Sequence, residues 1–247
     1  MFHRDVVEDI HRIEHAGVNC YLVEDGDRVM VVDAGLPATW RLLTTALGEL
    51  GKSIRDVSAL VLTHAHFDHL GFAARLQREA SVPILVHPGD TYIAAHPYRY
   101  KHEKARIVYP LRYPRAIPVL ARMTMAGALT VKGVTNVRAL HPGQYAELPG
   151  QPELIHTPGH TDGHCALHFP DRNTIITGDA LVTLDPYTGA TGPQIVSAAA
   201  TADTTAALAS LENLAQTDAA TVLPGHGEPW HDGVREAVQQ AREHGKT

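Results

Sequence analysis

The chain has 247 residues, 44% of them apolar and 19% charged. That is the profile of an ordinary globular protein long enough for one large domain, and it excludes a mainly disordered, collagen-like or membrane-spanning architecture. Twenty-one basic residues against 27 acidic ones leave a net charge of −6, which argues against a general nucleic-acid binder.

Met1 to Glu14 is charged throughout and lacks the apolar core of a secretory signal. Cys20 and Cys165 are too few for a disulfide framework. A cytoplasmic protein with no membrane partner is the expectation. Asn19–Val23 and Val29–Val32 read as strands around the turn Glu24-Asp25-Gly26-Asp27. Trp40–Leu50 spaces Leu42, Leu43, Ala46, Leu47 and Leu50 along one helix face. The apolar run Ala59–Leu62 suits a buried strand. A helix is expected from about Leu70 to Glu79 and a strand at Ile84–Val86. Prolines 97, 110, 114 and 118 then break residues 88–133 into short helical pieces, with Val119–Leu129 as the main helix. Further strands are predicted at Val137–Leu140, Glu153–His156, Cys165–Phe169, Thr174–Thr177 and Thr221–Leu223. Helices are predicted at Thr204–Leu214, capped by Asp203, and at Val234–Glu243. Strands dominate both halves and helices flank each, so two packed sheets with helices outside are expected.

Histidine is over-represented: 17 residues, more than the aspartates or the glutamates. His64-Ala65-His66-Phe67-Asp68-His69 follows a buried strand. Such a cluster is expected by chance in roughly 0.005 of chains with this composition. Its side chains cannot share one helix or strand face, but they can converge from a turning backbone. A metal ion needs donors from elsewhere as well. His160 in Thr157-Pro158-Gly159-His160, Asp179 in Thr177-Gly178-Asp179 and His226 in Pro224-Gly225-His226-Gly227 each end an apolar run beside a glycine.

This ordered set, from Val31-Val32-Asp33-Ala34-Gly35 to Pro224-Gly225-His226-Gly227, resembles the metallo-β-lactamase superfamily of metallohydrolases. The resemblance implies an α+β fold, an αββα four-layer sandwich of two mixed sheets flanked by helices. The chain is then one domain, residues 1–247, with 88–133 as a helical lid insert. The resemblance also implies a first metal on His64, His66 and His160 and a second on Asp68, His69 and His226. Asp179 would bridge them. Asp33 and His164 would support ligands rather than be ligands.

Five imidazoles and two carboxylates favour two zinc ions per chain, with iron or manganese open to the same donors. The implied reaction is hydrolysis by a hydroxide bridging the metals, with Asp68 orienting it and passing a proton to the leaving group. Within that superfamily a bridging aspartate resembles the ester, lactone, thioester and phosphodiester hydrolases, and a lactone, thioester or carboxylic ester is the expected substrate bond. The alternatives are a mononuclear iron enzyme like the persulfide dioxygenases, or a β-lactamase-like amide hydrolase. The stretch Arg99 to Lys132 holds eight basic residues against Glu103 alone. Arg112, Arg115, Tyr109 and Tyr113 are therefore expected to touch a small anionic substrate, unless this insert is an assembly surface of a homodimer. His3, His11, His15, His231 and His244 are expected at the surface, and His87 near the metal edge.

Overall fold

Four strands in antiparallel succession begin the chain: β1 (Phe2–Val7), β2 (Ile10–His15), β3 (Val18–Asp25) and β4 (Arg28–Val32). The computed structural model describes residues 1–246. After α1 (Trp40–Glu49), the strand β5 (Val57–Val61) lies parallel to β4. The helices α2 (Phe67–Leu70) and α3 (Ala73–Ala80) lead to β6 (Ile84–Val86). Residues 88–133 form short 3-10 turns with α4 (Thr91–Ala95), α5 (Tyr109–Arg112) and α6 (Ile117–Met125). β7 (Arg138–Ala139) completes a seven-stranded mixed sheet in the order β1-β2-β3-β4-β5-β6-β7.

The second sheet is built from β8 (Gly143–Gln144), β9 (Glu153–His156), β10 (Cys165–Phe169), β11 (Thr174–Gly178) and β14 (Thr221–Pro224). Its order is β14-β11-β10-β9-β8, and β14 runs parallel to β11. A separate ribbon pairs β12 (Val182–Leu184) with β13 (Thr191–Gln194). α7 (Thr204–Ala215) and α8 (Val234–His244) complete the chain. Asp203 caps α7 as the sequence predicts, its carboxylate accepting from the backbone of Thr205 and Ala206.

Strand periodicity of two explains the layers. On β3 and β4, Cys20, Leu22, Val29 and Val31 face α1 and α3, while Tyr21, Val23, Met30 and Val32 face the other sheet. On β10 and β11, Leu167, Phe169 and Ile176 face the first sheet, while Ala166 and Ile175 face α7 and α8. The result is three apolar layers between helix, sheet, sheet and helix, the αββα arrangement expected. Among the described residues, no helix is long and apolar enough to cross a membrane.

The main departures lie at the N-terminus. β1 and β2 are absent from the sequence reading, because Ile10–His15 does not alternate. His11 and Arg12 are buried there instead of exposed. His11, expected at the surface, hydrogen-bonds Glu24 at 2.8 Å and accepts from the Asp5 backbone at 2.9 Å. Arg12 reaches Glu228 at 2.7 Å and the Gly227 carbonyl at 3.2 Å. Paired polar groups can be buried at little cost, and they hide the period that marks a strand.

Candidate metal centre

The centre collects at the C-terminal ends of five strands. β4 delivers Asp33, β5 leads into Thr63–His69, β9 into His160 and His164, β11 into Asp179 and β14 into His226. β4 and β5 are parallel, as are β11 and β14, and β9 points the same way as β11 because both oppose β10. All five ends therefore reach one rim. Bonds between the sheets hold that rim together: Cys165 N–H to the Thr63 carbonyl at 2.8 Å, and the Tyr21 hydroxyl to the Pro224 carbonyl at 2.7 Å.

Glycine is required where the chain passes the donors. A side chain at Gly225 would collide with the Asp179 carboxylate, and one at Gly178, where φ is +50°, would meet Thr63 and His164 within 3 Å.

Three sets of donors result: His64, His66 and His160; His64, His69 and Asp179; Asp68, His69 and His226. None of these seven residues is more than 6% exposed. Asp179 stands between the sets. Its Oδ2 lies 3.2 Å from His226 Nε2, 3.4 Å from His160 Nε2 and 3.9 Å from His64 Nε2, and its Oδ1 lies 3.4 Å from His69 Nε2. Asp68 Oδ2 is 3.4 Å from His226 Nε2.

The outer ring nitrogens fix which inner ones are free. His69 Nδ1 donates to Asp33 at 2.8 Å and His226 Nδ1 to the Gly17 carbonyl at 2.7 Å. The Thr63 hydroxyl donates to Asp33, so it accepts from His64 Nδ1 at 3.1 Å. The Thr201 hydroxyl donates to the Val196 carbonyl, so it accepts from His160 Nδ1 at 3.3 Å. In all four rings Nε2 then turns toward the cluster, the arrangement that orients metal-bound imidazoles.

The donor set fits a pair of cations. The Nε2 atoms of His64, His66, His69 and His226 and Oδ1 of Asp179 are buried without a hydrogen-bond partner. Five such atoms in one place are costly unless a cation satisfies them. His66 Nδ1 and His160 Nε2 face each other at 2.9 Å, so a proton or a cation must lie between them. Burial pushes His64 and His66 well below the usual range and His160 down to about 4. Against burial, Asp179 raises His69 well above that range and His226 to about 10. Two protonated imidazoles thus balance Asp179 and Asp68 where cations would otherwise do so.

Asp33 and His164 support this set. Asp33 sits in the left-handed region, φ +62°, and accepts from the Thr63 backbone, the Thr63 hydroxyl and His69, each at 2.8 Å. His164 accepts the Asp179 backbone N–H on Nε2 at 3.0 Å and donates from Nδ1 to Thr157 at 2.7 Å. Both of its nitrogens are engaged.

Sequence reasoning missed Asp90, Tyr100 and Arg106. Asp90 is fully buried and accepts from Ala65 N–H at 3.0 Å, Gly163 N–H at 2.9 Å and the Thr161 hydroxyl at 2.8 Å. It ties the His64–His66 loop to the loop after His160. Its only sequence signal is an acidic residue after Pro88-Gly89. Tyr100 stacks on His66 with ring centroids 3.7 Å apart.

A pocket of about 410 Å³ opens beside His160, bounded by Tyr92, Ile93, Arg99, Tyr100 and Lys101. Arg112, Tyr113 and Arg115 line a different pocket, with Thr188 and His244, and do not border the one containing His160. Tyr109 is buried. His87 stacks on His156 at 4.5 Å and accepts from Gly89 N–H, outside the donor sets.

Residues 14–226 match the sequence pattern of the metallo-beta-lactamase superfamily. The chain belongs to that superfamily. A probable metallo-hydrolase of Bacillus subtilis, YflN, is 25% identical over 237 residues, covering 91% of this chain and 86% of its own length. The crystal structure of TTHA1429, a metallo-beta-lactamase family protein of Thermus thermophilus, superposes with a TM-score of 0.70 at 25% identity, over 97% of this chain and 80% of that one. TTHA1623 in a di-iron-bound form gives 0.62 at 27% identity, over 91% and 95%. Family, fold and donor set together support a metal-dependent hydrolase of the metallo-beta-lactamase type with a candidate His/Asp metal centre.

Proposed function

We propose that this metallo-beta-lactamase superfamily member hydrolyses an ester-type bond, a lactone, thioester or carboxylic ester, in a small anionic substrate. One observation carries the reading: a buried Asp179 carboxylate lies within 3.9 Å of the ring nitrogens of His64, His69, His160 and His226, between the donor sets. A carboxylate there can hold two cations close together and offset their repulsion. Nitrogen and oxygen donors favour zinc; the di-iron form of TTHA1623 keeps iron in view for this chain as well.

Two cations bound here supply an acidified water as nucleophile and an electrophile for the acyl oxygen. Asp68 handles the proton. Its carboxylate, 3.4 Å from His226 Nε2, is an anion at neutral pH. It can accept a proton from the attacking water and return it to the leaving group. Asp33 and Thr63 keep the rings of His69 and His64 in register. At the pocket beside His160 Lys101 is paired with Asp162 at 2.9 Å, so Arg99 is the charge that favours an anionic substrate, and Tyr92 and Ile93 offer it apolar surface.

The test is a screen of zinc-, manganese- and iron-loaded protein against lactones, thioesters, aryl esters, phosphodiesters and β-lactams, with metal counted per chain. Two ions and turnover of the ester group are expected. One iron with oxygen uptake on a persulfide, or turnover of β-lactams alone, overturns the reading.

A further inference from the structure

Tyr100 holds an unusual position. Its ring lies on His66, with centroids 3.7 Å apart and planes 29° apart. The Arg106 guanidinium carbon stands 4.1 Å from the same ring centre. Two groups that close to one centre must lie on opposite faces, so the phenol is clamped between a cation and a ligand imidazole. The clamp is anchored. Arg106 Nε donates to the Ala199 carbonyl at 3.2 Å, the Lys104 N–H to Ala198 at 3.0 Å and the Glu103 N–H to Thr201 at 3.1 Å. The Glu103 carboxylate also accepts from the Thr204 backbone at 2.8 Å, at the start of α7.

This fixed ring carries a buried hydroxyl whose neighbour is the Tyr187 hydroxyl. Tyr100 Oη is closed to solvent and makes no hydrogen bond. A phenol is protonated at neutral pH and can donate. Leaving a buried hydroxyl unpaired is costly. The Tyr187 hydroxyl stands near it and is both donor and acceptor, so when Tyr187 donates, the Tyr100 O–H is left for another partner. A molecule that enters the centre can be that partner. The ring of Tyr100 borders the same pocket as His160, so that molecule's route passes it.

We propose that Tyr100 is the substrate-facing hydrogen-bond donor of the centre, its O–H directed to an oxygen of the scissile group, with Arg106 and His66 holding the ring in place. The assignment rests on the ester-hydrolase reading above for the identity of that oxygen. A rigid donor aimed at developing negative charge needs no reorganisation during reaction. The insert then contributes to the chemical step and not only to substrate choice.

The experiment compares zinc-loaded wild type with Tyr100→Phe, which keeps the clamp and removes the donor, and with Tyr187→Phe. For Tyr100→Phe, kcat on an active ester should fall about 100-fold with two ions still bound. An equal loss across esters of differing leaving-group pKa assigns the bond to the acyl oxygen; a loss that grows for poorer leaving groups assigns it to the leaving oxygen. Turnover within about threefold of wild type, or a loss confined to Tyr187→Phe, overturns the proposal. Calorimetric binding of benzoate, a product-like carboxylate, is the second readout, and about tenfold weakening is expected. Should wild type cleave no ester, the ester reading falls and benzoate alone decides on Tyr100: weaker binding supports it, and equal or absent binding overturns it.

Discussion

The backbone N–H of Asp179 donates to Nε2 of His164 at 3.0 Å, so this buried imidazole holds the strand end that presents the central carboxylate. His164→Ala should lower unfolding stability by about 2–4 kcal/mol, through a lost buried hydrogen bond and a cavity. The variant should still take up two zinc ions at saturation. Chemical denaturation with metal analysis checks both. A variant of unchanged stability that binds one ion fewer would make His164 a ligand.

Asp179→Ala and Asp33→Ala should fail differently. Removing Asp179 removes the carboxylate common to the donor sets, so one ion and nearly all turnover should be lost. Removing Asp33 leaves the Thr63 N–H and His69 Nδ1 unpaired, and puts alanine at φ +62°. That should cost about 2–4 kcal/mol and weaken metal binding about 10–100-fold, with residual activity at saturating zinc. Equal metal content and turnover in the two variants would contradict these roles.

Metal uptake should release protons. In the metal-free centre His69 and His226 hold theirs, with His226 raised to about 10, while His160 at about 4 is already neutral at pH 7. Cations must displace the first two, so binding at pH 7 should release about two protons and strengthen as pH rises. Calorimetry in buffers of different ionisation enthalpy measures the number. A value near zero would show that those imidazoles are neutral before metal arrives.

Charge reversal should separate the two arginine groups of the insert. The sequence singles out Arg112 and Arg115, but the residues bordering the pocket with His160 are Arg99 and Lys101. Lys101 is already paired with Asp162 at 2.9 Å. Arg99→Glu should therefore raise KM for an anionic substrate several-fold, more at low salt, and leave a neutral ester almost unaffected. Arg112→Glu with Arg115→Glu should shift KM less. Steady-state kinetics at two ionic strengths decides.

Asp90 gives a pH signature of its own. Burial lifts its carboxyl to about 6, while the Thr161 hydroxyl and the Ala65 and Gly163 amides pull the other way. A raised carboxyl contributes most to stability below its unfolded value near 4, and the contribution is lost as pH rises through about 6. Asp90→Asn turns an NH₂ toward a backbone or hydroxyl donor and should cost about 1–3 kcal/mol. In metal-free protein, the advantage of wild type over this variant should shrink between pH 4 and pH 6. A constant difference across that window would rule out titration at Asp90.

What the sequence reveals of this molecule is what lies close together along the chain. The strands Ile84–Val86 and Cys165–Phe169 have the bounds read from their apolar runs, because both are mostly buried. The donor motifs are legible because six residues hold four of the donors and glycine marks the others. Asp90 and Thr161 are 71 positions apart, and Tyr100 meets His66 only by way of a proline-broken insert, so no local pattern announces either pair. β1 and β2 are hidden for the opposite reason. The buried polar groups of β2 find partners, Arg12 with Glu228 and His11 with Glu24, and only the folded chain shows the pairing.

The donors divide between the two sheets: His64, His66, Asp68 and His69 follow β5 of the first, and His160, Asp179 and His226 follow strands of the second. Cations shared between them would act as rivets along a seam. A cell short of metal would therefore hold a protein that is looser as well as idle, parting first along the rim where the halves meet. Its lifetime against proteases would then follow the metal supply, and the amount of enzyme would adjust itself to the amount that can be charged.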